Sequence, residues 1–153
     1  MFRPTFVAKS MCLFFHQGKV LLYEAQSKSG SKFLRPPGGH IEHGEYAIDA
    51  AQREIREELG VEVEDVTQLT IIENIFKYDG ELAREHVFIF GAKFADTGFY
   101  QLEKVPFFDD VKNGFLKWYD ISSLKNSSVP VVPNGVLEEC LKYLHNRDPH
   151  WIL

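Results

Sequence analysis

Three glutamates in the first half of the chain have the spacing that points most directly to chemistry. Glu54, Glu57 and Glu58 are three and four positions apart, so on a helix their carboxylates project together over about one turn. Like charges placed in this way destabilise a bare helix by roughly a few tenths of a kcal/mol per pair. Carboxylate oxygens are also the ligands that Mg²⁺ and Mn²⁺ prefer. The spacing alone therefore leaves two interpretations open, an acidic surface helix or a site for a divalent cation.

The negative charge of the chain is concentrated around these glutamates. The 153 residues carry a formal net charge of −5, and residues 38–61 alone hold six Asp and Glu against two Arg. A negative chain does not favour broad electrostatic binding of nucleic acid, and no apolar run approaches the roughly 20 residues of a membrane-spanning helix. We therefore expect a single globular domain over residues 1–153, without a membrane partner and without broad binding of nucleic acid.

A helix over residues 46–59 is predicted to carry the glutamates, with Gly60 as its C-terminal cap. One face, consisting of Ile48, Ala51, Ile55 and Leu59, is expected to pack on a sheet. Ala47 and Ala50 are placed with the three glutamates on another side. Before the helix, Gly38 and Gly39 follow two prolines and permit a close approach of the backbone, so that a carbonyl there could be a further metal ligand.

The rest of the pattern predicts a mixed sheet with a second helix. Residues 5–15 and 19–25 are predicted to form a hairpin through His16-Gln17-Gly18. Polar or Gly/Pro-rich composition marks two loops, 26–32 and 95–114, which we expect to be mobile and to flank the site. The remaining expectations are an extended piece at 33–35, two strands within 61–77 with a break near Glu64-Asp65, a turn at 78–81, strands at 86–94 and 115–119, and a helix at 134–146.

The residues around the glutamates also match a known motif. Gly39, Glu45 and the run from Arg53 to Val61 agree at every specified position with G-x5-E-x7-R-E-U-x-E-E-x-G-U, where U is aliphatic. This pattern resembles the Nudix box, and Pro37-Gly38-Gly39 resembles the usual approach to it. The resemblance implies an α+β fold, an α/β/α sandwich around a mixed sheet. It also implies hydrolysis of a nucleoside diphosphate linked to another group.

The resemblance assigns roles to individual residues. The Gly38 carbonyl, Glu54, Glu57 and Glu58 would hold Mg²⁺ or Mn²⁺, and Glu54 would be either a ligand or the general base. Arg53 would orient the glutamates through an ion pair with Glu45. Gly39 and Gly60 would support the arrangement. Glu54, Arg53 and Glu57 are thus the predicted catalytic set.

Residues outside the motif are candidates for substrate contacts. Glu85 could be an additional ligand or base, and Glu73 and Glu103 are alternatives to it, although both of these are expected to be exposed acids. Arg35 and Lys32 could hold a phosphate or be ordinary surface cations. His40-Ile41-Glu42-His43 lies in a loop and does not have the spacing of a helical zinc motif. Six aromatic residues could stack on a base or belong to the core, namely Phe33, Phe76, Tyr78, Phe99, Tyr100 and Trp118.

The substrate is only broadly defined by the sequence. A softer resemblance to small bacterial Nudix proteins rests on Glu73-Asn74-Ile75-Phe76 and on residues 84–88. A small nucleotide such as a nucleoside triphosphate or an oxidised deoxynucleotide is favoured, followed by an ADP-ribose-type substrate. A catalytically silent binding module and an RNA-decapping hydrolase are the alternatives. Cys12 and Cys140 are expected to be buried thiols of a cytoplasmic protein, and a homodimer is possible.

Overall fold

Strands predominate in the computed structural model, which describes residues 5–78, 80–108 and 113–146. In chain order its elements are β1 (Thr5–Leu13), β2 (Phe15–His16), β3 (Lys19–Gln26), β4 (Lys32–Arg35), β5 (Gly38–His40), α1 (Ala47–Leu59), β6 (Val63–Tyr78), β7 (Glu81–Phe94), a 3-10 helix (Thr97–Gln101), β8 (Lys104–Phe108), β9 (Asn113–Asp120), α2 (Ile121–Leu124) and α3 (Val136–Asn146). No helix within these ranges is long and apolar enough to cross a bilayer.

Two sheets position everything else. The first has the order β5-β1-β7-β6, in which β1 and β7 are parallel and the other pairs antiparallel. The second has the order β2-β3-β9-β8, with β4 paired to β3, and all its pairs are antiparallel. The predicted mixed sheet is therefore confirmed, as one of two sheets.

The predicted hairpin between residues 5–15 and 19–25 is wrong for most of its length. β1 lies between β5 and β7, so both of its edges are already hydrogen-bonded. The chain leaves this sheet at Phe14, whose carbonyl accepts a hydrogen bond from the Leu21 amide at 3.2 Å. Only Phe15 and His16 then pair with β3, through the turn at Gln17-Gly18.

Alternate residues of the central strands feed two hydrophobic clusters. Cys12 packs in a cluster with Ile55 of α1, whereas its neighbours Met11 and Leu13 pack in a second cluster with Cys140 of α3. α1 therefore covers one face of the sheets and α2 with α3 the other, which is the predicted sandwich. Both cysteines are free and fully buried, as predicted.

α1 confirms the predicted helix but not all of its buried face. Gly60 ends it in a left-handed conformation (φ 69°), and its amide donates to the Arg56 carbonyl at 2.9 Å. Ile48, predicted to be buried, is 41% exposed, whereas Ala50 is completely buried. The helix contacts strands of both sheets, so a second stripe of small residues is buried and the first turn extends beyond the sheet.

Several other boundaries differ from prediction. The two strands expected within 61–77 are one strand, β6, whose ladder with β7 shifts register between Glu64 and Thr70. Residues 95–114 are not an irregular insertion, since they contain the 3-10 helix and β8; positions 109–112 lie outside the described residues, as does position 79 of the predicted turn. α2 was not predicted, and α3 begins at Val136.

Candidate active site

The start of α1 is anchored closely against the first sheet. The buried Ser10 hydroxyl of β1 donates to the Ala47 carbonyl in the first turn of α1, at 2.7 Å. Gly39 pairs with Ser10, and a Cβ atom added to it would lie 2.6 Å from the carboxyl carbon of Glu54. Only glycine therefore leaves room for the Glu54 carboxylate above β5.

Arg53 binds the acidic groups around it. Its Nε and Nη2 donate to the two carboxylate oxygens of Glu45 at 2.7 and 3.0 Å, and Nη2 also donates to the His40 carbonyl at 2.9 Å. Nη1 donates to Glu54 at 3.0 Å and to Glu57 at 3.2 Å. The ion pair predicted between Arg53 and Glu45 is thus present, and its hydrogen bonds lower the pKa of Glu45 and raise that of Arg53.

Glu58, unlike Glu45, lies in an environment that disfavours its charged form. Its side chain is buried, with 7% of the residue exposed, and Oε2 has no hydrogen-bond partner. Burial, and then the neighbouring Glu54 carboxyl, raises the pKa of Glu58 to about 9, although the Gly38 backbone and Arg35 act in the other direction. A carboxylate in this position requires either a proton or a cation.

This donor set fits a divalent cation. Glu54 and Glu58 are adjacent acids, and the unpartnered buried oxygen of Glu58 is the kind of atom that an ion would satisfy. The Glu57 side chain is 59% exposed and turned toward Arg53. As they stand, no three acidic, His or Cys side chains in the described ranges converge on one point. A shared ion therefore requires rotation of a side chain, which the exposed Glu57 can make.

A large cleft begins beside the acidic helix. Its volume is about 1210 Å³, and Arg35 and His40 line it at the border with α1. The walls come from β1, β6 and β7 of the first sheet, from the loop between β3 and β4, and from the segment before α3. Loop 26–32 lines the cleft as predicted, whereas the described part of 95–114 does not, because β8 pairs with β9 in the second sheet.

Comparison with known proteins identifies the family. The family model described as NUDIX domain matches residues 5–138. The chain belongs to the Nudix family. A mouse (Mus musculus) protein, bis(5'-nucleosyl)-tetraphosphatase [asymmetrical], is 40% identical over 60 residues, and this match spans only 39% of each chain.

Solved structures agree with the Nudix fold. A NUDIX hydrolase from Nitrosomonas europaea has a TM-score of 0.62 and 19% identity, covering 95% of this chain and 90% of that one. The E. coli ORF135 protein has a TM-score of 0.56 and 20% identity, covering 94% of both chains. At these identities the likeness concerns the fold.

Glu85 lies in the floor of the Nudix cleft and is not joined to the acidic helix. It is 5% exposed, with one carboxylate oxygen 2.9 Å from Lys9 Nζ and the other accepting from the Asn74 amide at 2.9 Å. Sequence reasoning missed both partners, and the contact with Lys9 is an ion pair without hydrogen-bond geometry. Strand alternation was the signal that could have found Lys9, because it places Lys9 on the same face of β1 as Val7 and Met11, which also line the cleft.

The other candidates outside the Nudix box divide between the cleft and the surface. Arg35 stacks on the Tyr23 ring at 5.2 Å, and its buried Nε has no hydrogen-bond partner. Lys32 and half-buried Phe33 also line the cleft. Glu73 and Glu103 are exposed acids, as predicted, and Glu73 pairs with Arg84 at 3.0 Å.

The aromatic candidates divide in the same way. Phe76 and Phe33 both line the Nudix cleft, and Phe33 also packs against the hydrophobic cluster beneath α1. Phe99, Tyr100 and Trp118 pack in the hydrophobic cluster beneath α1. The side chain of Tyr78 lies outside the described residues.

Proposed function

We propose that this Nudix protein hydrolyses the pyrophosphate linkage of a nucleoside diphosphate joined to another group, with Mg²⁺ or Mn²⁺ as cofactor. The observation that carries the proposal is the buried, unpartnered oxygen of Glu58 beside Glu54, within a complete box. A silent binding module has less support, since all four box glutamates are present.

Glu54, Glu57 and Glu58 would hold the cation, with the Gly38 carbonyl as a further ligand. A divalent cation in such a site neutralises phosphate oxygens and makes water easier to deprotonate. Arg53 would hold Glu54 and Glu57 in position, because its guanidinium donates to both. Glu45 would in turn orient Arg53 through two hydrogen bonds.

The general base is proposed to be a box glutamate. Glu54 is the first candidate, because its side chain is 15% exposed and lies beside Gly39 at the edge of the first sheet. A base must reach the proton of an attacking water directly or through one water. Glu54 as a metal ligand is the other assignment, and the two differ in kinetics.

For the substrate, small nucleotides are the first proposal and ADP-ribose-type compounds the next. Nucleoside triphosphates, oxidised deoxynucleotides, ADP-ribose and NADH should be tested with and without Mg²⁺ or Mn²⁺. The name of the mouse relative adds dinucleoside tetraphosphates, and capped RNA tests the decapping alternative. Release of a nucleoside monophosphate or phosphate, followed by chromatography, is the readout.

Turnover of at least one compound is expected, with its loss in EDTA and in Glu58→Gln. Glu103→Gln is the matched control, since it neutralises an exposed acid outside the site. Binding without turnover of any compound at any metal concentration would instead identify a silent module.

A further inference from the structure

Part of one face of the first sheet is left uncovered. Ser10 marks the point on β1 where the cover by α1 begins, because its hydroxyl is bound to Ala47. Towards the start of β1, the side chains on this face are largely exposed, and we call this part the open face. It consists of Phe6 on β1, of Ile71, Glu73, Ile75 and Lys77 on β6, and of Leu82, Arg84 and His86 on β7.

The open face is largely apolar. Its four large apolar side chains are each 49–58% exposed, namely Phe6, Ile71, Ile75 and Leu82. Tyr46 and Ile48, which flank Ala47 in the first turn of α1, are also exposed and extend this apolar surface. Six of the nine exposed large apolar side chains of the described ranges therefore lie on or beside the open face. Apolar side chains gathered in this way mark an interaction surface.

The strand pairing also favours a cover for the open face. β1 and β7 pair in parallel from Thr5 to Leu13, and parallel strands are normally covered on both faces. On the side of α3, Val87 and Ile89 of β7 are completely buried. On the side of α1, the exposed side chains at the start of the ladder show that α1 covers only its later part.

The area of the open face matches what a stable dimer requires. At about 200 Å² for a fully exposed large side chain, the six apolar side chains expose roughly 650 Å². The side chains of Glu73, Arg84 and His86, which are 60%, 49% and 39% exposed, bring the total to roughly 900 Å² at the same value. A standard stable interface buries about 800 Å² per partner.

The charges of the open face favour a second copy of this chain as its partner. Glu73 accepts a hydrogen bond from Arg84 at 3.0 Å, and His86 lies 3.6 Å from the same carboxylate. Donor and acceptor thus lie side by side, so the surface can be complementary to its own copy. Two bases and one acid give the face a formal charge of +1, whereas the whole chain carries −5. Two copies therefore repel each other less at this face than elsewhere.

We propose that the open face is the interface of a homodimer, in which the same face of two copies packs together about a two-fold axis. The apolar side chains form the core of the interface, and Glu73 of each copy accepts a hydrogen bond from Arg84 of the partner subunit. The end of the β6–β7 hairpin borders both the interface and the cleft. The floor of each cleft stays accessible, because its residues, such as Asn74 and Glu85, alternate with those of the open face.

Sedimentation velocity tests the proposal without any substrate. At about 50 μM, the wild-type protein is expected to have twice the mass of the 17.6 kDa chain. In Phe6→Glu/Ile71→Glu the dissociation constant should rise by about 30-fold or more, because each change places a charge in the apolar core of the interface. Leu102→Glu/Phe115→Glu is the matched control, since it adds the same charge at exposed apolar side chains elsewhere, and should change the constant by less than about threefold. All four positions lie outside the cleft.

Mixing two charge-reversal variants tests the pairing across the two-fold axis. Glu73→Arg and Arg84→Glu each bring like charges together, so each variant alone should be mainly monomeric. An equimolar mixture should form a dimer with one copy of each variant, because opposite charges then meet at both contacts. Native mass spectrometry detects this mixed dimer. The test stays informative if circular dichroism shows that Phe6→Glu/Ile71→Glu does not fold.

Three results would overturn this proposal. The first is a wild-type monomer at every concentration up to about 500 μM, which would leave the open face to a different protein or to a lipid surface. The second is a dimer whose affinity is unchanged in folded Phe6→Glu/Ile71→Glu, which would place the interface elsewhere. The third is the absence of a mixed dimer from Glu73→Arg and Arg84→Glu.

Discussion

At the scale of single residues, neighbouring carboxylates of the box have opposite surroundings. Glu45 receives two hydrogen bonds from Arg53, whereas one oxygen of Glu58 is buried without a partner. The first arrangement stabilises a charged carboxylate, whereas the second disfavours the charge unless a proton or a cation is present. The hydrogen bonds of the protein therefore hold Glu45 in place and leave one oxygen of Glu58 without a partner.

The roles of Glu54 and Glu57 can be separated by metal titration of activity. If Glu57 is a ligand, Glu57→Gln should need more Mg²⁺, and its rate should partly recover as Mg²⁺ is raised. If Glu54 is the base, Glu54→Gln should lose about 10²–10⁴-fold in kcat at saturating Mg²⁺. Recovery of Glu54→Gln at high metal would make Glu54 a ligand instead.

Glu58 should make the metal-free protein less stable as pH rises. Its folded pKa of about 9 lies above the ordinary value of 4.5, so between these limits the unfolded chain releases a proton that the folded chain retains. The free energy of unfolding then falls by up to about 1.4 kcal/mol per pH unit, and the contribution is complete below pH 4.5. In urea unfolding with EDTA, the free energy of unfolding of Glu58→Gln should therefore increase relative to that of wild type from pH 5 to pH 9.

The control for this measurement is Glu57→Gln, which neutralises an exposed carboxylate on the same helix. The difference in free energy of unfolding between Glu57→Gln and wild type should change less with pH than the difference for Glu58→Gln. A Glu58→Gln advantage that stays constant across this range would mean that the burial of Glu58 is relieved in solution.

At the scale of elements, the contact between β5 and α1 brings the carboxylates to the sheet edge. Gly39→Ala would place a methyl group 2.6 Å from the Glu54 carboxyl carbon, so that flexible side chain must move. We expect kcat/KM to fall by about tenfold or more, with the free energy of unfolding changed by less than about 1 kcal/mol. Thermal unfolding and kinetics on the same preparation check both values.

Gly38→Ala is the contrasting variant. Gly38 has φ +151°, and an added Cβ would collide with the backbone carbonyl oxygen of Ser10, which cannot rotate away. We expect a loss of about 1–3 kcal/mol in stability. Wild-type kinetics in Gly39→Ala, or unchanged stability in Gly38→Ala, would contradict the observed packing of β5.

Elements were predictable where the signal is local. α1 could be placed because apolar periodicity ends at Gly60, which adopts the required left-handed conformation. The partner of β1 could not be predicted, because pairing with β7 depends on residues far along the chain. β8 was missed although Val105 and Phe107 are buried in alternation, since Pro106 and the flanking Gly and Asp residues favour a loop reading.

At the scale of the whole molecule, the box was predictable as a unit, whereas the cleft was predicted only through loop 26–32 and single residues such as Arg35 and Lys32. The box is one contiguous segment with fixed spacing, so its residues could be named from sequence. The Lys and Arg residues that line the cleft belong to β1, β4, β6, β7 and the loop after β3, and the overall charge of −5 conceals them. Their proximity results from the topology.

Amide exchange in the loop after β3 should slow when a nucleotide binds in the cleft. Residues 27–31 are exposed and bonded mainly among themselves, as by the Ser27 amide to the Ser31 carbonyl at 2.8 Å. We expect rapid amide exchange without ligand and slower exchange when a nucleotide occupies the cleft. Residues 97–101, which do not line the cleft, are the internal control. If protection is equal in both segments, or absent from both, the loop does not respond specifically to ligand binding.

The position of β1 has a consequence for how the chain acquires its structure. β1 has its parallel partner in residues 83–91, with Thr5 beside Ala83 and Leu13 beside Gly91. Until those residues are available, one edge of β1 has no native neighbour, and closing such a long loop is slow compared with local hairpin formation. On the ribosome, therefore, β1 must wait until β7 has also been synthesised before the centre of this sheet can assemble, and apolar strand surface exposed during that interval is open to aggregation or chaperone binding.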